Sequence, residues 1–186
     1  QYAPAPGVPT IPFDVVFSGK MDYRPNVDAV LWFGREIWPH IVAARPESTW
    51  AIVGQKPHAR LEELRELPGV TLTGWVATVQ PYLHGATVLG MPFRSGSGTR
   101  LKLIEGMAAG TPIESTRMGS EGFPVTDGRE IMLRDKADGV KTAVLELLEN
   151  DNKRVALGQA ARTFAQQYDW RSVAPLLWQA VGKLAS

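Results

Sequence analysis

The 186-residue chain contains no cysteine, only three histidines, and no charge of one sign in excess. The missing thiols exclude a disulfide framework, a thiolate metal site and a cysteine nucleophile together. The histidines, His40, His58 and His84, lack metal-ligand spacing and read as surface or packing residues. Twenty basic side chains against nineteen acidic ones give a net charge of +1. No global field therefore favours nucleic acid or an anionic membrane, and any basic site must be local. No run approaches the ~18 apolar residues of a spanning helix. The chain starts at Gln1 without a secretory pattern, which points to a cut or processed piece of a cytoplasmic protein.

What is present is ordinary for a folded domain: 44% hydrophobic and 21% charged residues. A chain of this length buries roughly 70% of its unfolded surface without staples. Residues 1–12 (QYAPAPGVPTIP) are proline-rich and lack apolar periodicity, as expected of a linker or lead-in. Beyond them, one domain is expected over 13–186. Short apolar runs predict strands at Asp14–Ser18, Thr49–Val53, Val70–Thr73, Thr87–Met91, Pro112–Thr116 and Ile131–Leu133. Between them lie helical patterns over 27–44, 58–67, 79–85 and 99–109. The first is capped by Asn26 and bent or ended early by Pro39, and the last stops at Gly110. Three more helices are predicted over 137–149, 152–168 and 171–184. The alternation predicts a doubly wound α/β domain with about six parallel strands.

In such a sheet, ligands bind beyond the carboxyl ends of the strands. Two loops there carry chemistry. Arg94-Ser95-Gly96-Ser97-Gly98-Thr99 leads into a helix whose first turn holds Arg100 and Lys102. Cations are unfavourable at a helix N-terminus unless an anion is present, so this conflict suggests a phosphate-bearing ligand. The alternative is an ordinary serine/glycine turn with solvated basic residues. The loop Gly19-Lys20-Met21-Asp22-Tyr23-Arg24-Pro25-Asn26 again joins a glycine and cations to a helix start. Its alternative is a solvated loop with Arg24 paired to Asp22 or Asp28. Glu105, in the helix after the second loop, suits ribose hydroxyls or else pairs with Lys102. Trp32 and Trp38 fit a core stripe, whereas Trp75 follows a strand at the ligand edge and either borders a nucleobase or packs at the rim. No G-x-G-x-x-G follows the first strand, which disfavours a redox dinucleotide fold.

From Phe13 onward the chain resembles the C-terminal, donor-binding half of a GT-B glycosyltransferase of the retaining group 1 (family 4) type. The matching stretches are Phe17–Val30, Ala51–Gly54, Gly69–Val76, Gly96–Pro112, Met118–Gly122 and Tyr168–Trp170. The resemblance implies a Rossmann-like domain that binds a nucleotide sugar and needs neither metal nor other cofactor. It implies that Gly19, Lys20, Arg24, Gly96, Ser97, Gly98 and Thr99 surround the diphosphate. Glu105 would face the ribose, and Gly74, Trp75 and Val76 would line the base. Lys20, Arg100 and Lys102 would stabilise the leaving diphosphate as catalytic cations.

It implies further a glycan or lipid-linked acceptor bound by an N-terminal half, little transfer by this half alone, and no nucleic-acid partner. The expected place is cytoplasmic, with the full-length protein peripheral to the inner membrane and active in polysaccharide biosynthesis. The alternative is a non-catalytic nucleotide-binding or partner module. Three positions depart from the family pattern. Ser97 stands where the first of two glutamates is usual, Pro25 where a lysine is common, and Glu114 where a strand residue is usually aliphatic. If buried, Glu114 must be paired or protonated.

Overall fold

The computed structural model describes residues 7–96, 98–169, 171, 172, 174, 175 and 178. Ser97, Trp170 and most of the helix expected over 171–184 lie outside them. Six strands form one parallel sheet: β1 Phe13–Ser18, β2 Trp50–Val53, β3 Val70–Gly74, β4 Ala86–Met91, β5 Ile113–Ser115 and β6 Met132–Leu133. Their order is β3-β2-β1-β4-β5-β6. All five pairings are parallel. The chain winds outward from β1 in one direction, then returns and winds from β4 in the other. The topological switch point thus lies between β1 and β4, the place where such sheets open a crevice.

The helices are α1 Arg24–Trp32, α2 Trp38–Ala44, α3 Gln80–Gly85, α4 Leu101–Ala109, α5 Ala137–Glu149 and α6 Asp151–Ala165. α5 packs against α2, and α4 packs against α3 and α6. Right-handed crossovers place these two groups on opposite faces of the sheet. The four residues of β2, Trp50–Val53, are all buried, as expected where helices cover both sides. Its Trp50 meets Phe33 and Trp38 with ring centroids 4.8 and 5.5 Å apart. The Trp38 indole donates to the Pro68 carbonyl at 2.9 Å, which satisfies its polar edge.

The observed elements correct four sequence expectations. α1 begins at Arg24 with Pro25 in its first turn, so Tyr23 takes the cap position and Asn26 lies inside the helix. Proline's fixed φ and absent N–H suit that first turn, and this preference outweighs the capping preference of asparagine. The pattern over 27–44 divides into α1, a π-helical turn Phe33–Ile37 and α2. Pro39 in the first turn of α2 cannot donate to the preceding turn, and the wider turn absorbs that loss. Residues Ala59–Glu66 form a 3-10 helix. His58 caps it, its Nδ1 accepting from the Arg60 N–H at 3.1 Å. Thr99 and Arg100 precede α4 rather than forming its first turn. Part of the lead-in is also docked, since the Ile11 N–H donates to the Pro81 carbonyl at 2.9 Å.

The loops after β1 and β2 are stitched together. The Gly19 N–H donates to the Val53 carbonyl at 2.9 Å, and the Met21 N–H to the Gln55 carbonyl at 3.0 Å. Gly54, at φ +154°, lies so close that a Cβ there would sit 1.7 Å from the Gly19 oxygen. The Gly54→Ala variant therefore either unfolds locally or displaces Gly19. Its Tm is expected to fall by about 5 °C or more, and an unchanged Tm in a thermal melt would contradict this packing.

Glu114 lies in β5 between β4 and β6 and is fully buried. Ile113 packs toward α4, so alternation along the strand turns Glu114 to the α5 face. Both carboxyl oxygens lack a hydrogen-bond partner. Burial raises its pKa well above the usual carboxylate range; nearby Arg134 opposes this and Asp135 reinforces it. Glu114 is therefore a neutral acid in the fold. Folding takes up a proton that the unfolded chain has lost, so stability falls as pH rises above 4.5, its ordinary value, toward the raised folded value. The slope is about 1.4 kcal/mol per pH unit. Glu114→Met is expected to raise Tm by about 5 °C or more near pH 8 and by clearly less near pH 5. An equal effect at both pH values would refute the neutral-acid assignment.

Candidate functional site

A cleft of ≈ 300 Å³ opens at the switch point, lined by Gly19, Lys20, Gly54, Gln55, Trp75, Val76, Lys102 and Glu105 among others. β1 ends at Ser18, and the next residue turns sharply beneath α1 and α4. Gly19 has no room for a side chain, since a Cβ would lie 2.7 Å from both the Asn26 Nδ2 and the Lys102 Nζ. The Asn26 amide donates to the Lys20 carbonyl at 2.8 Å, fixing the loop's path. Lys102 reaches back from α4 and donates to the Ser18 carbonyl at 2.6 Å and the Asn26 Oδ1 at 2.9 Å. Its Nζ also sits 4.6 Å from the Phe17 ring centroid and 4.9 Å from that of Phe93.

None of these contacts is to a charged group. Burial lowers the Lys102 pKa to about 7, helped by the Arg100 charge and opposed by Glu105. Glu105 stands one turn further along α4 and lines the same cleft. The ion pair with Lys102 that its spacing allows does not form, because the ammonium turns toward β1 instead. Lys20 is more exposed and lies 3.5 Å from the Asp22 carboxylate. Across the opening, β3 ends at Gly74 with φ +69°, a left-handed turn that delivers Trp75 to the cleft edge. Trp75 is 71% exposed, an unusual cost for a large ring with no partner over it.

Of the candidate residues, Lys20, Lys102, Glu105, Gly19, Trp75 and Val76 are thus brought together in one cleft. Other candidates take different places. Arg100 is only 7% exposed and turns inward. Its guanidinium donates to the Gly96 carbonyl at 2.9 Å and lies 4.7 Å above the Phe93 ring centroid. It therefore shapes the glycine-rich loop and does not line the cleft. In that loop Gly96 and Gly98 adopt φ of +99° and +96°, conformations that favour glycine. Gly96 approaches Pro25 and Thr99 approaches Gly122, and neither Gly96 nor Thr99 lines the cleft. Arg24 is exposed and forms no ion pair among the described residues. The acids expected to pair with it are engaged elsewhere, Asp22 by Lys20 and Asp28 by Arg94 at 2.8 Å.

Three functional positions escaped the sequence reading. Asn26 was expected to cap a helix and instead bridges Lys20 and Lys102. The Ser18 carbonyl became a ligand of Lys102 through an approach across 84 positions. Gln55 lines the cleft because the two loops are stitched together. No short-range signal marks any of these. A second groove of ≈ 470 Å³ opens beside Gly110, Arg154 and Arg162. It lies by the amino ends of β4 and β5, away from the crevice, and holds none of the candidate residues.

The family model described as glycosyl transferases group 1 matches residues 12–150. A phosphatidyl-myo-inositol mannosyltransferase of Mycolicibacterium smegmatis is 30% identical over 185 residues, covering 93% of this chain and 46% of that protein. A D-inositol 3-phosphate glycosyltransferase of Corynebacterium urealyticum is 30% identical over 125 residues, covering 63% of this chain and 29% of the relative. The chain therefore spans about half the length of its curated relatives, or less. Among solved structures, the C-terminal domain of a group 1 glycosyl transferase from Francisella tularensis superposes with a TM-score of 0.69 at 11% identity. It covers 89% of this chain and 94% of its own. HepE of Anabaena, solved in complex with UDP, gives a TM-score of 0.71 at 16% identity, over 93% of this chain and 49% of its own. The residues matched by the family model run from the start of β1 through α5, well over half of the chain: the chain belongs to the group 1 glycosyl transferases.

Proposed function

We propose that this chain is the donor-binding half of a retaining, metal-independent glycosyltransferase, and that its cleft holds a nucleoside diphosphate sugar. The observation that carries this reading is the meeting of Lys20, Lys102, Glu105 and Trp75 in one crevice at the switch point. Each group suits one part of the donor. Lys20 and Lys102 supply positive charge for the diphosphate, and Gly19 lets the backbone come close to it. Glu105 accepts hydrogen bonds from ribose hydroxyls, and the exposed Trp75 ring offers a face for the base. When the bond between sugar and diphosphate breaks, negative charge grows on the departing oxygen. The two ammonium groups stabilise that charge without a metal ion. Arg100 takes part indirectly, by holding the carbonyls of the glycine-rich loop.

The solved neighbours that carry UDP or UDP-glucose support a nucleotide sugar as the ligand class. The acceptor, a glycan or a lipid-linked sugar, belongs to the other half of the protein. The chain alone is accordingly a binder with little or no transfer activity. Among the described residues no helix is long and apolar enough to cross a membrane. A cytoplasmic protein that meets a lipid-linked acceptor at the inner membrane surface fits that observation.

The test is a nucleotide-sugar panel, with UDP-glucose and GDP-mannose included, scored by thermal shift and calorimetry. At least one donor is expected to raise Tm. Lys20→Ala is expected to weaken its binding about tenfold, and Glu105→Gln by a similar factor. Full affinity in both variants would remove the cleft from consideration. Sugar transfer by the 186-residue chain alone would refute its inactivity.

A further inference from the structure

We propose that donor binding in this cleft is proton-linked through Lys102, which meets two neutral acceptors and no bonded acid until an entering diphosphate supplies its counter-charge. The inference rests on the donor-site reading above and adds its regulation. A protonated lysine has three N–H donors and a neutral one has two. Lys102 meets two acceptors, the Ser18 carbonyl and the Asn26 Oδ1. Its remaining neighbours are the faces of Phe17 and Phe93 and the cleft itself. Neither acceptor carries a charge and the two ring faces favour a cation only weakly, so no bonded acid holds the third proton, and the side left open to one is the cleft where a ligand enters.

The charges around it favour the neutral amine. The first loop contributes Lys20, whose nearest counter-ion is its own Asp22. Arg100, just ahead of α4, contributes its guanidinium and α4 the Glu105 carboxylate, of which only the latter favours the charged form. The loop after β2 contributes Gln55, which is neutral, as is Asn26 of α1. β1 contributes the Phe17 ring and the Ser18 carbonyl, and the segment after β4 the Phe93 ring, all uncharged, with the ring faces weakly favouring a cation. With these neighbours the ligand-free group titrates at about 7. A diphosphate in the cleft would bring negative charge to this amine and raise that value.

Affinity for the donor then falls as pH rises. Above the free value the amine must gain a proton to bind, so the apparent Kd rises about tenfold per pH unit until the bound-state value is passed. A nucleotide sugar is the right probe because its own diphosphate does not titrate in this window. At about pH 8, an amine with a free pKa of about 7 is about nine-tenths neutral. Calorimetry with UDP-glucose and GDP-mannose, run in two buffers of different ionisation heat, is expected to show uptake of about 0.9 proton per bound ligand. In Lys102→Arg and Lys102→Met, uptake should vanish and the Kd should lose its pH slope. NMR titration of the lysine side-chain carbons in the ligand-free chain should show one midpoint near 7, absent in both variants.

Binding without proton uptake, or with uptake equal to wild type in either variant, overturns this inference and leaves the donor site standing. A ligand-free Lys102 titrating near the ordinary lysine value overturns it as well. Failure of every nucleotide sugar to bind the wild-type chain overturns both readings. A lysine that served only to tie the loops would lower Tm when replaced and would leave the proton count at zero throughout.

Discussion

The ammonium group of Lys102 joins three parts of the molecule that the chain brings together from far apart. It sits where β1 ends, where α1 begins and where α4 begins, and its two hydrogen bonds fix all three. A parallel sheet places strand ends and helix starts on one edge, yet does not set the distance between them. That distance is set here by one long side chain, by Asn26, and by two glycines without room for a Cβ. The cleft is what remains between these pieces. Its width depends on the same contacts that carry its charge.

Two buried ionisable groups, Lys102 and Glu114, show how position decides whether such a group can serve a purpose. Each is pushed toward its neutral form by burial. Their effects on stability run in opposite directions. The folded state holds an extra proton on Glu114, so rising pH opposes folding. It lacks one on Lys102, so between about 7 and 10.5 rising pH favours folding. Glu114 lies under a helix layer inside the sheet, whereas Lys102 borders an open cleft. A desolvated group that a ligand can reach converts its solvation cost into ligand discrimination. One that nothing reaches only destabilises the fold.

The strands and most helices were legible in the sequence because buried parallel strands are short apolar runs and their helices carry long periodic stripes. The sheet order was consistent with that alternation, and the two ligand loops followed from strand-end chemistry. Local conflicts were less legible. Pro25 and Asn26 both mark helix starts, and the sequence does not say which prevails. Arg100 and Lys102 looked alike as cations two positions apart. In the fold Arg100, ahead of α4, turns inward beneath the glycine-rich loop, and Lys102, inside the helix, reaches across to Ser18. Such divergence depends on neighbours distant in sequence, Phe93 and Asn26 among them. The same holds for Glu114, whose odd place in an apolar strand was visible but whose lack of partners was not.

The near-neutral net charge of the chain conceals an arrangement in space. Eleven ion pairs join described residues, and nearly all lie on partly exposed surfaces, where each contributes little. They engage the two acids of the first loop and α1: Asp28 is held by Arg94 and Asp22 by Lys20. What is left over at the switch point is a lysine without a bonded acid, a half-engaged second lysine and one carboxylate. On the proposed reading these groups meet the polar parts of a nucleotide donor, and the exposed Trp75 at their border meets its base. That reading assigns the chain one of the two substrates, and the match to about half or less of its relatives' length is what such a division of labour requires.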